Sequence, residues 1–185
     1  MMLLRNSERR YGGVAMAFHW LMALLLIALV ALGLYMVSLP DVGFDARKIW
    51  LILYHKELGI VVLMLLAPRF LWRLGNVLPR LVETLPEWQK VTARFVHLCF
   101  YGLMLALPVT GWLMSSAAAI PVSVLGLFTL PDLVSHDEQL YRMLIEAHKW
   151  LSYALIACMV AHIGAAVRHH FTRRDDTLKK MLPAR

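Results

Sequence analysis

The sequence predicts an all-α, transmembrane four-helix bundle, and three observations carry that prediction. Of 185 residues, 60% are hydrophobic and 17% charged, where a soluble domain is nearer half apolar and a quarter charged. The apolar excess is gathered into four blocks of about 20 residues, the length needed to cross about 30 Å of hydrocarbon at 1.5 Å per residue. The charges are divided unequally between the two ends of those blocks. A soluble enzyme, a disordered chain and a disulfide scaffold are thereby excluded.

Span one covers about 13–38 and stops at Pro40. It follows a basic segment, as a signal peptide would. The apolar run from Val14 to Leu39 is too long for a signal core, however, and has no small-x-small cleavage site, so it reads as a retained span. Span two covers about 49–72, with Pro68 near one end, and span three about 91–116, where Pro108 and Gly111 point to a kink. The connection over 117–139 is long and apolar, but Pro121, Gly126 and Pro131 break it too often for a fifth span. It reads as an external loop lying on the bundle or in the interface. Span four covers about 140–167. Tyr11, Trp20, Trp50, Tyr54, Trp88, Tyr141 and Trp150 sit at block ends, as interfacial belts require. With no repeat and no low-complexity stretch, residues 1–185 are expected to form one integral-membrane domain.

The net charge of +7 in a soluble protein would suggest nucleic acid. Its distribution argues otherwise. Fourteen of the 19 lysines and arginines and five of the 12 acids lie at the N-terminus, between spans two and three, or after span four, a balance of +9. Five bases and seven acids on the opposite side give −2. For a chain embedded among lipid and with no nucleic-acid partner, the positive-inside rule then places both termini in the cytoplasm. Cys99 and Cys158 lie within apolar spans and read as small packing residues.

Eight histidines in so apolar a chain are the informative excess, because ionisable groups within a bilayer are costly and face the bundle interior or a polar site. His19 and His162 fall at the inner depth, His55 and His148 at the outer. His148 and His162 are 14 residues apart on span four, about 21 Å of rise and only about 40° around the axis. One helix face thus presents a histidine near each membrane surface. Haem iron accepts axial imidazole, and facing helices of a bundle can supply two. His19 with His162 and His55 with His148 would hold two b haems. Competing readings are packing or interhelical hydrogen bonding, a zinc site lacking nearby Cys, Asp or Glu to complete it, and a proton relay. His97, near the inner end of span three, is an alternative inner ligand or a hydrogen-bond partner to a propionate or quinone. His136 is expected to be solvated, and His169 and His170 to anchor the inner interface.

Phe18-His19-Trp20, His55-Lys56-Glu57-Leu58-Gly59, Glu146-Ala147-His148-Lys149 and the run from His162 to Phe171 occur in an order and spacing that resemble the bacterial cytochrome b561 family, of its superoxide-oxidising type. So do Leu125 to Pro131 and the tail Asp176 to Pro183, and the likeness covers nearly the whole chain. The resemblance implies a four-helix protein with two haem b groups, ligated by His19, His55, His148 and His162. It further implies transfer of electrons from periplasmic superoxide through both haems to ubiquinone. His169 matches a family histidine at the quinone site, whereas a quinone-site lysine of that type falls near Thr84, with Lys90 the nearest lysine. Lys56 and Lys149 follow the two outer histidines and could steer an anion or partner haem propionates. The rival function is a cytochrome b subunit relaying electrons between the quinone pool and a periplasmic redox partner.

Overall fold

The computed structural model describes residues 4–40, 45–80 and 85–183. Four helices, α1 (Gly13–Ser38), α2 (Ala46–Leu74), α3 (Glu87–Ala117) and α4 (Glu138–Arg168), are each long and apolar enough to cross a membrane. A spanning segment in hydrocarbon must satisfy its own backbone groups, and a helix does so within one segment. The last three extend past their apolar blocks, and α2 and α4 begin at side-chain caps. Asp45 accepts from the Arg47 and Lys48 amides and Asp137 from the Leu140 amide. The helix of α3 continues unbroken through Pro108, and that of α2 through Pro68.

Each helix packs on the next, α1 on α2, α2 on α3 and α3 on α4. The mid-depth core comprises Met22, Leu26 and Leu29 from α1, Val62 and Leu66 from α2, Leu103 and Met104 from α3, and Leu155 from α4. Leu155 is the one residue of α4 that is fully buried among those described. Outward faces carry exposed Leu21, Leu24, Ile27, Met64, Leu105 and Val160. Lipid tails are as apolar as these side chains, so packing contacts and hydrogen bonds, rather than escape from water, hold the helices together.

The connection between α3 and α4 differs from the loop expected from its sequence. Val122–Val124 (β1) and Phe128–Leu130 (β2) form an antiparallel hairpin, paired Val122 to Leu130 and Val124 to Phe128. Its three-residue connection places Leu125 and Gly126 at positive φ, at the centre of a turn closed by the Leu127 amide on the Val124 carbonyl at 2.9 Å. Alternation then turns Val122 and Val124 inward onto Ile60, with Trp112 and Leu130 packed beside them. The Trp112 indole donates to the Pro131 carbonyl at 3.0 Å, Lys56 Nζ to the Pro121 carbonyl at 3.0 Å, and the Leu133 amide to Ser116 Oγ at 3.1 Å. His136 is exposed, as expected, but its Nδ1 lies 2.8 Å from the Ala117 carbonyl.

The opposite end carries both termini, which are laced together. The Tyr11 amide donates to the Lys180 carbonyl, an Arg10 guanidinium nitrogen to the Leu182 carbonyl at 2.6 Å, and the Trp20 indole to the Met181 carbonyl at 2.8 Å. Asn6 and Lys180 donate to the carbonyls of Val77 and Arg80, tying in the α2–α3 connection. Gly12 makes this closure possible, since a Cβ there would stand 2.4 Å from the Leu4 carbonyl oxygen and the Arg5 carbonyl. Those neighbours are backbone and cannot swing aside. Gly12→Ala should therefore cost about 1–3 kcal/mol by overpacking. A lower thermal midpoint and faster proteolysis near the N-terminus are expected, and an unchanged midpoint would show that the closure tolerates the extra carbon.

Candidate functional site

The bundle sorts its span histidines into two levels, one on either side of the apolar core. Nearer the termini, α1 presents His19 and α4 presents His162, with ring centroids 6.1 Å apart and planes inclined at 59°. Nearer the hairpin, α2 presents His55 and α4 presents His148, with centroids 6.3 Å apart at 72°. Two imidazoles aimed at one metal ion between them, with metal–nitrogen bonds of about 2 Å, place their centroids roughly 6 Å apart. Both pairs fit that spacing.

The polar atoms around the rings fit it as well. Thr110 donates its hydroxyl hydrogen to the Leu107 carbonyl at 2.9 Å, and its oxygen lies 3.0 Å from His148 Nδ1. With its one hydrogen committed, the hydroxyl accepts from His148 Nδ1–H. This assigns the tautomer whose Nε2 carries the free lone pair, as a metal ligand requires. On the facing helix, His55 Nδ1 is buried with no protein partner. Glycines let both rings lie close to backbone: a Cβ at Gly33 would stand 3.3 Å from His55 Cε1, and one at Gly111 3.6 Å from His148 Cε1. Among the described residues no three His, Cys, Asp or Glu side chains are grouped to hold a metal ion. The arrangement is unlike a structural zinc set.

His97 stands in the level nearer the termini, its centroid 5.6 Å from that of His162, with Phe100 edge-on to the same ring at 5.4 Å. The structure thus brings together three histidines there and two at the other level. His169 lies on a π turn (His169–Arg173) that continues α4, with its Nδ1 2.5 Å from an Asp175 carboxylate oxygen. His170 has its Nδ1 buried without a partner and its ring edge-on to Phe171. Lys149 pairs with Glu146, whereas Lys56 reaches the hairpin carbonyl of Pro121. Lys90 pairs with Glu87, and Thr84 lies outside the described residues.

Sequence reasoning did not find Thr110, Gly33, Gly111 or Asp175. The two glycines carry no side-chain chemistry, and the Thr110 hydroxyl gains a role only because the fold sets it beside His148. Asp175 sits six residues after His169, and only the π turn and the left-handed Arg174 bring them together.

The family model described as prokaryotic cytochrome b561 matches residues 10–184. The chain is 35% identical over 177 residues to Escherichia coli K12 cytochrome b561 homolog 2, covering 96% of this chain and 93% of the relative. Cytochrome b561 homolog 1 of the same organism is 32% identical over 134 residues, covering 71% and 74%. A Yersinia pestis protein named probable superoxide oxidase CybB is 26% identical over 178 residues, covering 95% and 97%.

Two outcomes test the site's geometry. Gly33→Ala should displace His55 by a few tenths of an ångström and lower the haem retained after purification. Gly111→Ala should leave haem content unchanged and gain up to about 1 kcal/mol of helix stability; equal haem content in the two variants would refute the contrast. Burial pushes the Asp175 carboxyl up, but hydrogen bonds from Thr177 and His169 outweigh it and hold the group below its ordinary 3.8. A depressed carboxylate contributes stability fully above its unfolded pKa and loses it as pH falls through the folded value. The wild-type tail should accordingly loosen only below about pH 3.8, while Asp175→Asn should loosen it at neutral pH, read as hydrogen exchange over 169–177.

Proposed function

Since the chain belongs to the prokaryotic cytochrome b561 family, whose members transfer electrons in membranes, we propose that it holds two b haems and oxidises superoxide at the expense of ubiquinone. The observation that carries this reading is the two facing histidine pairs, at 6.1 and 6.3 Å between centroids, separated by the apolar core. Bound haem supplies one-electron chemistry at its iron, and the protein supplies ligation, spacing and exclusion of water. His55 and His148 would hold the outer group, and His19 and His162 the inner. His97 would then be a neighbour of the inner site rather than a ligand, because His19 and His162 would hold that group.

Two superoxide anions each give up one electron and leave as dioxygen; one ubiquinone takes both electrons and two protons to become ubiquinol. Lys56, whose ammonium faces only a carbonyl, is suited to draw an anion to the hairpin end. His169 would sit by the quinone, donating a proton from the ring that Asp175 orients. The charge balance of +9 against −2 supports cytoplasmic termini, and protons would come from that side. The name of the Yersinia relative supports the superoxide reading. The pairing of Lys149 with Glu146 halves the free positive charge beside the outer site. It favours the second reading, a relay subunit for a periplasmic redox protein.

Purified chain should contain two haems, and His148→Ala one. Stopped-flow mixing with superoxide should reduce the haems faster than it reduces a bis-imidazole haem in detergent. Reduction no faster than that control would sink the superoxide reading, and a stoichiometric periplasmic subunit in the same preparation would establish the relay.

A further inference from the structure

Arg69 and Arg73 lie four residues apart on one face of α2, at the level of His19 and His97. Both guanidiniums stand 5.8 Å from the Tyr101 ring centroid. Both are half-buried in a membrane-spanning helix, and among the described residues neither has a carboxylate partner. Arg69 commits only Nη1, to the Phe18 carbonyl at 3.5 Å and the Met22 sulfur at 3.4 Å, which leaves its charge uncompensated among the described residues. Two unpaired cations on neighbouring turns repel each other, and holding them within a span is costly.

A cavity of about 60 Å³ opens between them, walled also by Tyr11, His19, His97 and Trp72. At 10–15 Å³ for each water-sized group it has room for roughly four to six oxygens, enough for a pair of carboxylates. Trp72, which also lines the cavity, supplies a second, independent sign: its indole N–H is buried with no acceptor among the described residues. Two forked cations and an orphaned donor around one small space call for an anion with several oxygens. The guanidinium of Arg69 also interacts electrostatically with His19, His97 and His162, so that anion belongs to whatever His19 and His162 hold.

We propose that Arg69 and Arg73 form a clamp for the propionate carboxylates of the inner haem, with Trp72 as an additional donor. The proposal rests on the two-haem reading of the histidine pairs. The clamp would fix the rotation of the haem within its site and neutralise its carboxylates.

The test is a redox titration of purified Arg69→Gln and Arg73→Gln, with the outer haem as internal control for folding. Removing a cation disfavours added electrons, so each variant should shift the inner reduction equilibrium about tenfold toward the oxidised form, 59 mV for one electron, or shed the inner haem. The outer potential should not move, and Arg73→Lys should recover most of the shift. Full occupancy with both potentials unchanged would overturn the clamp. Wild-type protein with no haem would instead overturn the two-haem reading. Should the glutamine variants fail to accumulate, His148→Ala chain reconstituted with haem dimethyl ester decides the matter. An ester bound as tightly as haem, at the same potential, would overturn the clamp, and weaker binding or an altered potential would support it.

Discussion

A neutral imidazole has one donor and one acceptor nitrogen, and in a bilayer no water is present to satisfy either. Much of this structure answers that constraint. At His148 the donor is met by Thr110, whose own hydrogen is fixed on the Leu107 carbonyl, so the acceptor nitrogen is left for something else. At His55 a buried Nδ1 has no protein partner at all. A helix that only needed packing would have used leucine at these positions. Two levels of paired rings are sensible only if the pairs share a partner, and the haem reading supplies one.

The same constraint explains the economy of the packing. Without a hydrophobic force between helices in lipid, a small bundle must hold its members by specific contacts. α4 buries Leu155 fully and little else, so its place is set by α3 and by what its histidines face on α1 and α2. The two ends compensate with polar stitching. The hairpin is pinned by Trp112, Ser116 and Lys56, and the terminal segments bind one another through backbone carbonyls.

The four spans and the two histidine levels were legible because both depend on simple quantities, 1.5 Å per residue and about 100° per residue. The hairpin was not. Val122 and Val124 alternate inward over only three residues, too short a run for a period to stand out, and the apolar exposed tip at Leu125, Leu127 and Phe128 masks the pattern. Arg69 and Arg73 were visible only as contributors to the positive inner charge. Their spacing of four within an apolar span was the available signal, but a side chain near a helix end can equally snorkel to the interface. Only the fold shows that both instead flank Tyr101 and a partly open cavity.

The ends of the bundle also differ in a way that bears on direction. At the level nearer the termini two guanidiniums lack carboxylate partners among the described residues, whereas at the level nearer the hairpin Lys149 is already balanced by Glu146 and Lys56 meets the Pro121 carbonyl. Each haem brings two carboxylates. On the proposed reading, those of the inner group are neutralised and those of the outer are not fully so. One uncompensated charge at about 10 Å is worth roughly 1–2 kcal/mol at an effective dielectric of 20, enough to favour the electron on the inner haem about tenfold. Negative charge left at the outer site also opposes the approach of an anion, which places the burden of steering on Lys56. On that reading, the side chains that would make inward transfer downhill are different from those that would recruit the donor, and the two functions can vary independently in sequence.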